Sequence, residues 1–236
     1  MIAHLLPSGV ATAVAYGDPA TPEILLPGEE SRVRRAVPAR RQEYATARGC
    51  ARTALAASAS PGTADRRSLW RPRWPEGVVG SITHCQGYRA AAVALTTGTA
   101  ALGIDAEPHL PLPDGALKVI ADDEERARLT ALEGAHPHIR WDTLLFSAKE
   151  AVYKAWHPHF PRRLTFRDAS LTFRKGPVAT SGTFTAHLLV PDSPCHRLQG
   201  RWSVVAAWRS PPSTGPRPSG TRAVLVRSRS MLHSER

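Results

Sequence analysis

Apolar and polar positions alternate with period two in several runs of this chain and recur near period 3.6 in others, which predicts a mixed α and β protein. Val10 to Tyr16 reads as a first strand. From Ala39 to Ala57 the pattern is helical, with Tyr44, Ala47, Ala51 and Leu55 on one stripe. Arg41, Arg48 and Arg52 share another face of that helix. Val78 to Cys85 and Tyr88 to Leu95 are β-like runs on either side of Gln86-Gly87, a tight-turn pair, and Ala101 to Ala106 reads as a following strand. Charged helical sequence runs from Asp122 to Leu132. Trp141 to Trp156 is the strongest helix, with Leu144, Leu145, Ala148, Ala151, Val152, Ala155 and Trp156 forming a wide apolar stripe that Pro158 stops. Leu164 to Phe173, Gly182 to Val190 and Arg201 to Trp208 read as strands, and no internal repeat is visible.

Pro108, Pro111 and Pro113 break this pattern and divide the chain into an N-terminal half, 1–110, and a C-terminal half, 111–210. Pro211 to Gly220 is low-complexity, so 211–236 reads as a flexible basic tail, with Ala223 to Val226 either a last short strand or an apolar patch.

Charge changes the picture. The 236 residues carry a formal net charge of +11, which calls for an anionic partner. Arg209 onward contributes +5, and much of the rest lies between Arg32 and Arg73. Three scattered cysteines, Cys50, Cys85 and Cys195, fit neither a disulfide framework nor zinc and point to a reducing cytoplasm. No apolar run is long enough to span a membrane. Ala13-Val14-Ala15 imitates a signal cleavage site, but no Lys or Arg precedes it, so a buried strand is the better reading.

Against this basic background two acidic segments stand out. Asp105 and Glu107 are two apart on a strand, so both point to one face. Ser147, Glu150 and Lys154 form one polar stripe of the strong helix, with Lys149 beside them. Taken singly, each is a surface pair. Taken together, three carboxylates in a basic setting suit magnesium facing a polyanionic substrate. A nucleotide hydrolase with a glycine-rich phosphate loop lacks its G-x-x-x-x-G-K here. A nucleic-acid module would interleave aromatic and basic residues, and only 6% of residues are aromatic.

The two segments, Gly103-Ile104-Asp105 and Phe146-Ser147-Ala148-Lys149-Glu150-Ala151 followed by Lys154, resemble the 4'-phosphopantetheinyl transferases in order and spacing. Gly80-Ser81-Ile82-Thr83-His84-Cys85 and Trp74-Pro75-Glu76-Gly77 resemble the larger, Sfp-type class and its enterobactin-synthase-like branch. The resemblance covers about residues 10–190. It implies an α+β, pseudo-dimeric fold of two similar halves, each a small antiparallel sheet with a long helix, and an active site in the cleft between them. It implies transfer of the 4'-phosphopantetheine of coenzyme A to a serine of an apo acyl or peptidyl carrier protein, with Mg2+, releasing 3',5'-ADP. Asp105, Glu107 and Glu150 match magnesium ligands. Lys149 and Lys154 match lysines near the coenzyme A phosphates and the acceptor. Thr83, His84, Arg48 and Arg73 match the 3'-phosphoadenosine site, with Arg41 and Arg52 as further candidates. Glu150, directly or through a metal-bound water, is the candidate base, with Lys154 beside it. The expected partners are carrier domains of polyketide, nonribosomal peptide or fatty acid synthases, as in secondary metabolite biosynthesis. Neither nucleic acid nor membrane is expected, and the enzyme is expected to act as a cytoplasmic monomer.

Overall fold

The computed structural model describes residues 2–58, 74–160, 162–191, 193, 195–205 and 220–228, the last stretch by its backbone. It is a mixed helix and antiparallel-sheet protein, as the periodicity predicts, built on two sheets. The smaller contains β1 (Val10–Tyr16), β3 (Tyr88–Leu95) and β2 (Val78–Cys85), in that spatial order. The larger contains β4 (Thr99–Pro108), β8 (Gly220–Ser228), β7 (Arg197–Val205), β6 (Ser181–Leu188) and β5 (Ala169–Lys175). Five α-helices accompany the sheets among the described residues: α1 (Pro27–Val33), α2 (Pro38–Ala57), α3 (Ala116–Ile120), α4 (Asp123–Ala135) and α5 (Trp141–Trp156). None of them is long and apolar enough to cross a membrane.

The smaller sheet is the middle of a sandwich, which is why β3 reads as an almost unbroken apolar run. Ala91 and Val93 pack under α2 with Cys50, Ala51 and Ala54. Ala90, Ala92 and Ala94 face the other way, onto Leu102, Ile104 and Ala106 of β4. Gly87 takes a positive φ of 72° in the β2–β3 turn, where glycine has no Cβ penalty. The second core lies under α5, where Leu144, Leu145, Ala148 and Val152 meet Leu171, Phe184 and Trp202. Helix α5 also presses close on β4: a Cβ at Gly103 would lie 1.9 Å from the Ala151 carbonyl oxygen.

Three expectations change. The flexible tail expected from residue 211 does not hold for Gly220–Ser228, which enters the larger sheet as β8. It pairs with β4 (Asp105 opposite Ala223) and with β7 (Trp202 opposite Ala223), closing two edges that would otherwise expose unpaired N–H and C=O groups. The change of sheet falls between β3 and β4, ahead of the prolines, because β4 takes its backbone partner from β8. Finally, β5 starts at Ala169, not Leu164: Asp168 accepts from the Thr165 N–H and hydroxyl and winds Phe166–Asp168 into a 3-10 turn.

Candidate functional site

Two β2 side chains close the outer edge of β4. The Ile104 N–H donates to Ser81 Oγ at 3.0 Å, and the Ala106 N–H donates to Thr83 Oγ1 at 3.1 Å. The Thr83 hydroxyl in turn donates to Asp105 Oδ1 at 3.3 Å. Thr83 is only 1% exposed. Its hydroxyl thus works inside the joint between the sheets, one residue before His84.

Asp105 is held between this joint and α5. Its Oδ1 accepts from Lys154 Nζ at 2.6 Å, while its Oδ2 is buried with no hydrogen-bond partner. A buried carboxylate oxygen without a donor is costly, and among the described residues only Asp18 Oδ1 shares that state. Glu107 and Glu150 share the same field. Burial, then the charge of Asp105, pushes the Glu107 carboxyl up to about 7, with Glu150 adding to the rise and Lys154 opposing it. Burial also raises Glu150, offset by Lys154 and reinforced by Asp105. These are hard oxygen donors whose charge is undercompensated. Among the described residues no three His, Cys, Asp or Glu groups close into a ready-made metal cage. Carboxylate oxygens are the donor type magnesium takes, together with waters and substrate phosphates.

Next to these carboxylates lies a cationic cavity of about 400 Å³ between α2, β2 and the end of α5. Arg32, Arg40, Arg48 and Lys154 supply its charge, His84 lines it beside Arg40, and Tyr44, Trp74 and Tyr153 are its aromatic walls. Arg40 Nη1 lies 3.1 Å from His84 Nδ1 and 3.2 Å from its Nε2. Burial, then Arg40, holds His84 below its usual pKa. Arg48 is buried in the wall, its Nε donating to Glu29 Oε1 at 2.5 Å.

The structure brings Asp105, Glu107, Glu150, Lys154, Arg48 and His84 to this cleft but not every expected residue. Arg41 is exposed on α2 and is not part of the cavity wall. The lining face of α2 is Arg40, Tyr44, Ala47 and Arg48, spaced four, three and one apart, and that spacing was available in the sequence. Arg32, on α1, was also missed. Arg52 is tied to Glu23 and Glu29. Arg73 lies outside the described residues. Lys149 is 3% exposed, and its three N–H bonds go to the Ile120 carbonyl (2.6 Å), Glu125 Oε2 (2.7 Å) and the Phe166 carbonyl (2.7 Å). The ammonium joins α3, α4 and the turn before β5, and Lys149 also lines a cavity beside Glu150.

On another side of Glu150 is a second cavity of about 360 Å³, lined by Tyr153, Leu164, Thr165 and Phe166 with Arg163. Tyr153 borders both cavities. The cleft can thus hold an anion at one end, a divalent cation in the middle and a partly apolar chain at the other.

Comparisons with known proteins agree with this geometry. The family model of the 4'-phosphopantetheinyl transferase N-terminal domain matches residues 28–94, and that of the 4'-phosphopantetheinyl transferase superfamily matches 101–200. The gap between them coincides with the passage from β3 to β4. The chain is 48% identical over 211 residues to 4'-phosphopantetheinyl transferase Svp of Streptomyces mobaraensis, covering 86% of this chain and 84% of that protein. It is 42% identical over 216 residues to 4'-phosphopantetheinyl transferase PptT of Mycobacterium tuberculosis, covering 86% and 93%. Enterobactin synthase component D of Salmonella austin is 36% identical over 128 residues, covering 53% and 51%.

Proposed function

The chain belongs to the 4'-phosphopantetheinyl transferase superfamily, and on that premise we propose that it moves the 4'-phosphopantetheine of coenzyme A to a serine of an apo acyl or peptidyl carrier protein, with magnesium bound and 3',5'-ADP released. The observation that carries the reading is the unpartnered, buried Asp105 Oδ2 beside Glu107 and Glu150, at the edge of a cavity walled by arginines.

Arg48 and Arg40 take the 3'-phosphate, since guanidinium forks suit terminal phosphate oxygens. His84, neutral in its buried setting, completes that end. Lys154 lines the same cavity while paired to Asp105, so its charge lies between the phosphates and the carboxylates. The pantetheine arm runs past Tyr153 into the second cavity, where Leu164 and Phe166 cover its apolar stretches. Asp105, Glu107 and Glu150 would hold magnesium, which when bound offsets the charge on the pyrophosphate. Glu150 receives the proton of the carrier serine, directly or through a water, as the serine oxygen bonds to the phosphorus bearing pantetheine and the pyrophosphate bond breaks. Its raised basicity suits that role.

The two sheet-and-helix units are read as the two similar halves of a pseudo-dimeric fold, with the site between them. Carriers of polyketide, nonribosomal peptide or fatty acid synthases are the proposed acceptors. A reducing cytoplasm accords with three buried cysteines that form no disulfide, and a monomer is the proposed acting species. Incubation with coenzyme A, magnesium and an apo carrier tests the reading: the carrier should gain one phosphopantetheine, and one 3',5'-ADP should appear per carrier modified.

A further inference from the structure

Behind the cationic cavity runs a ladder of alternating charge: Glu23, Arg52, Glu29 and Arg48. Its inner carboxylate, Glu29 of α1, is 0% exposed. A carboxylate so buried is tolerated only when paired and hydrogen-bonded, and both of its oxygens are used. Oε1 accepts from Arg48 Nε at 2.5 Å. Oε2 accepts from the Leu26 N–H at 2.9 Å and from Arg52 Nη1 at 3.3 Å. With both oxygens committed, the carboxylate cannot rotate.

The two arginines it holds differ. Arg52 is engaged through both terminal nitrogens, by Glu29 with Nη1, and by Glu23 and the Ile24 carbonyl with Nη2. Arg48 is engaged through Nε, and no hydrogen bond from its terminal nitrogens is present among the described residues. Arg48 nevertheless lines the cavity. An arginine pinned at Nε keeps its pair of terminal N–H groups for an external anion, and a fork fixed before binding loses less freedom on binding. The α1–α2 joint already has Arg52; the bond to Arg48 is the one that reaches the cavity.

We propose that Glu29 is the positioning residue for recognition of the 3'-phosphate of coenzyme A: it pins Arg48 at Nε and reserves the terminal nitrogens of that guanidinium for the phosphate. The proposal rests on the reading of the cavity as the coenzyme A phosphate site.

The test compares coenzyme A with its 3'-dephospho form, by direct titration of the full-length protein and by steady-state transfer. In Glu29→Gln, affinity for coenzyme A should fall about tenfold, the scale of a lost charge-assisted contact. Affinity for the dephospho form and the KM for the carrier should stay as in the wild type. Glu23→Gln, which loosens the outer end of the ladder and touches neither Glu29 nor Arg48, should keep wild-type discrimination. A shortage of folded protein lowers the number of sites without changing the dissociation constant, so poor folding does not imitate the effect. Glu29→Asp, which keeps the charge with a shorter reach, should fall between wild type and Gln. If the Gln and Asp variants discriminate as the wild type does, or bind both ligands equally less well, Glu29 is only a structural residue and the proposal fails. If the wild type itself binds both ligands alike, the reading of the cavity fails and takes the proposal with it.

Discussion

Lys154 Nζ lies 2.6 Å from Asp105 Oδ1, so one ion pair joins the catalytic helix to strand β4. The two partners are not equivalent. Lys154 is partly exposed, whereas the Asp105 side chain is 3% exposed.

The asymmetry predicts unlike variants. Asp105→Ala should abolish turnover with a small loss of stability, because the freed Lys154 can turn toward solvent. Lys154→Ala leaves a buried carboxylate with only the Thr83 hydroxyl, and stranding one member of a buried pair costs up to about 3–5 kcal/mol. Magnesium should raise the melting temperature of Lys154→Ala more than that of the wild type. A Lys154→Ala protein as stable as the wild type without metal would show that Asp105 tolerates isolation.

Glu107 makes stability depend on pH. Its folded pKa of about 7 lies above its usual value of 4.5, so the unfolded chain ionises first. The stability linked to its protonation is fully present below the unfolded value and is lost as pH rises through 7. Melting of the metal-free protein should show this decline, and Glu107→Gln should flatten it. Magnesium affinity should run the other way and strengthen as pH rises, because a ligand must be deprotonated. Titrations with the same slope in wild type and Glu107→Gln would remove Glu107 from the site.

The 3'-phosphate end makes its own prediction. Arg48→Ala and His84→Ala should raise the KM for coenzyme A more than that for the carrier, with smaller loss in kcat, since a contact far from the reacting bond is mostly uniform binding. Wild type should prefer coenzyme A over the dephospho form more strongly than either variant. Equal preference in all three would remove both residues from the phosphate site.

Deleting the segment after residue 210 should remove β8 and expose facing edges of β4 and β7. Since β4 carries Asp105 and Glu107, both folding and activity should be lost. Circular dichroism on heating would show a broad, early transition; a sharp wild-type melt would mean that β4 and β7 do not need the strand.

What the sequence revealed and concealed follows from geometry. Helix α5, the β2–β3 hairpin and the pairing of Asp105 with Glu150 across 45 residues were legible, because each is written in local periodicity or a fixed motif. The inward turn of Lys149 was not. It depends on Glu125, 24 residues earlier, and a one-position step on a helix turns a side chain by about 100°. The same step separates Arg40, in the cavity, from Arg41, outside it. Strand β8 was legible only as one of two readings of Ala223 to Val226, since its place is set by two distant strands and not by its own pattern.

Glu150 decides the central claim most directly. Single-turnover transfer, with enzyme in excess over an apo carrier and saturating coenzyme A, is followed by carrier mass and 3',5'-ADP release across a magnesium series, in wild type and Glu150→Gln. The wild type should convert the carrier completely with one 3',5'-ADP per transfer. The Gln variant should be slower by about 10²–10⁴-fold, the usual worth of a positioned base, and excess magnesium should restore only part of the loss. Full recovery at high magnesium would make Glu150 a ligand and not the base, and a wild-type rate at ordinary magnesium would contradict the placement of the site.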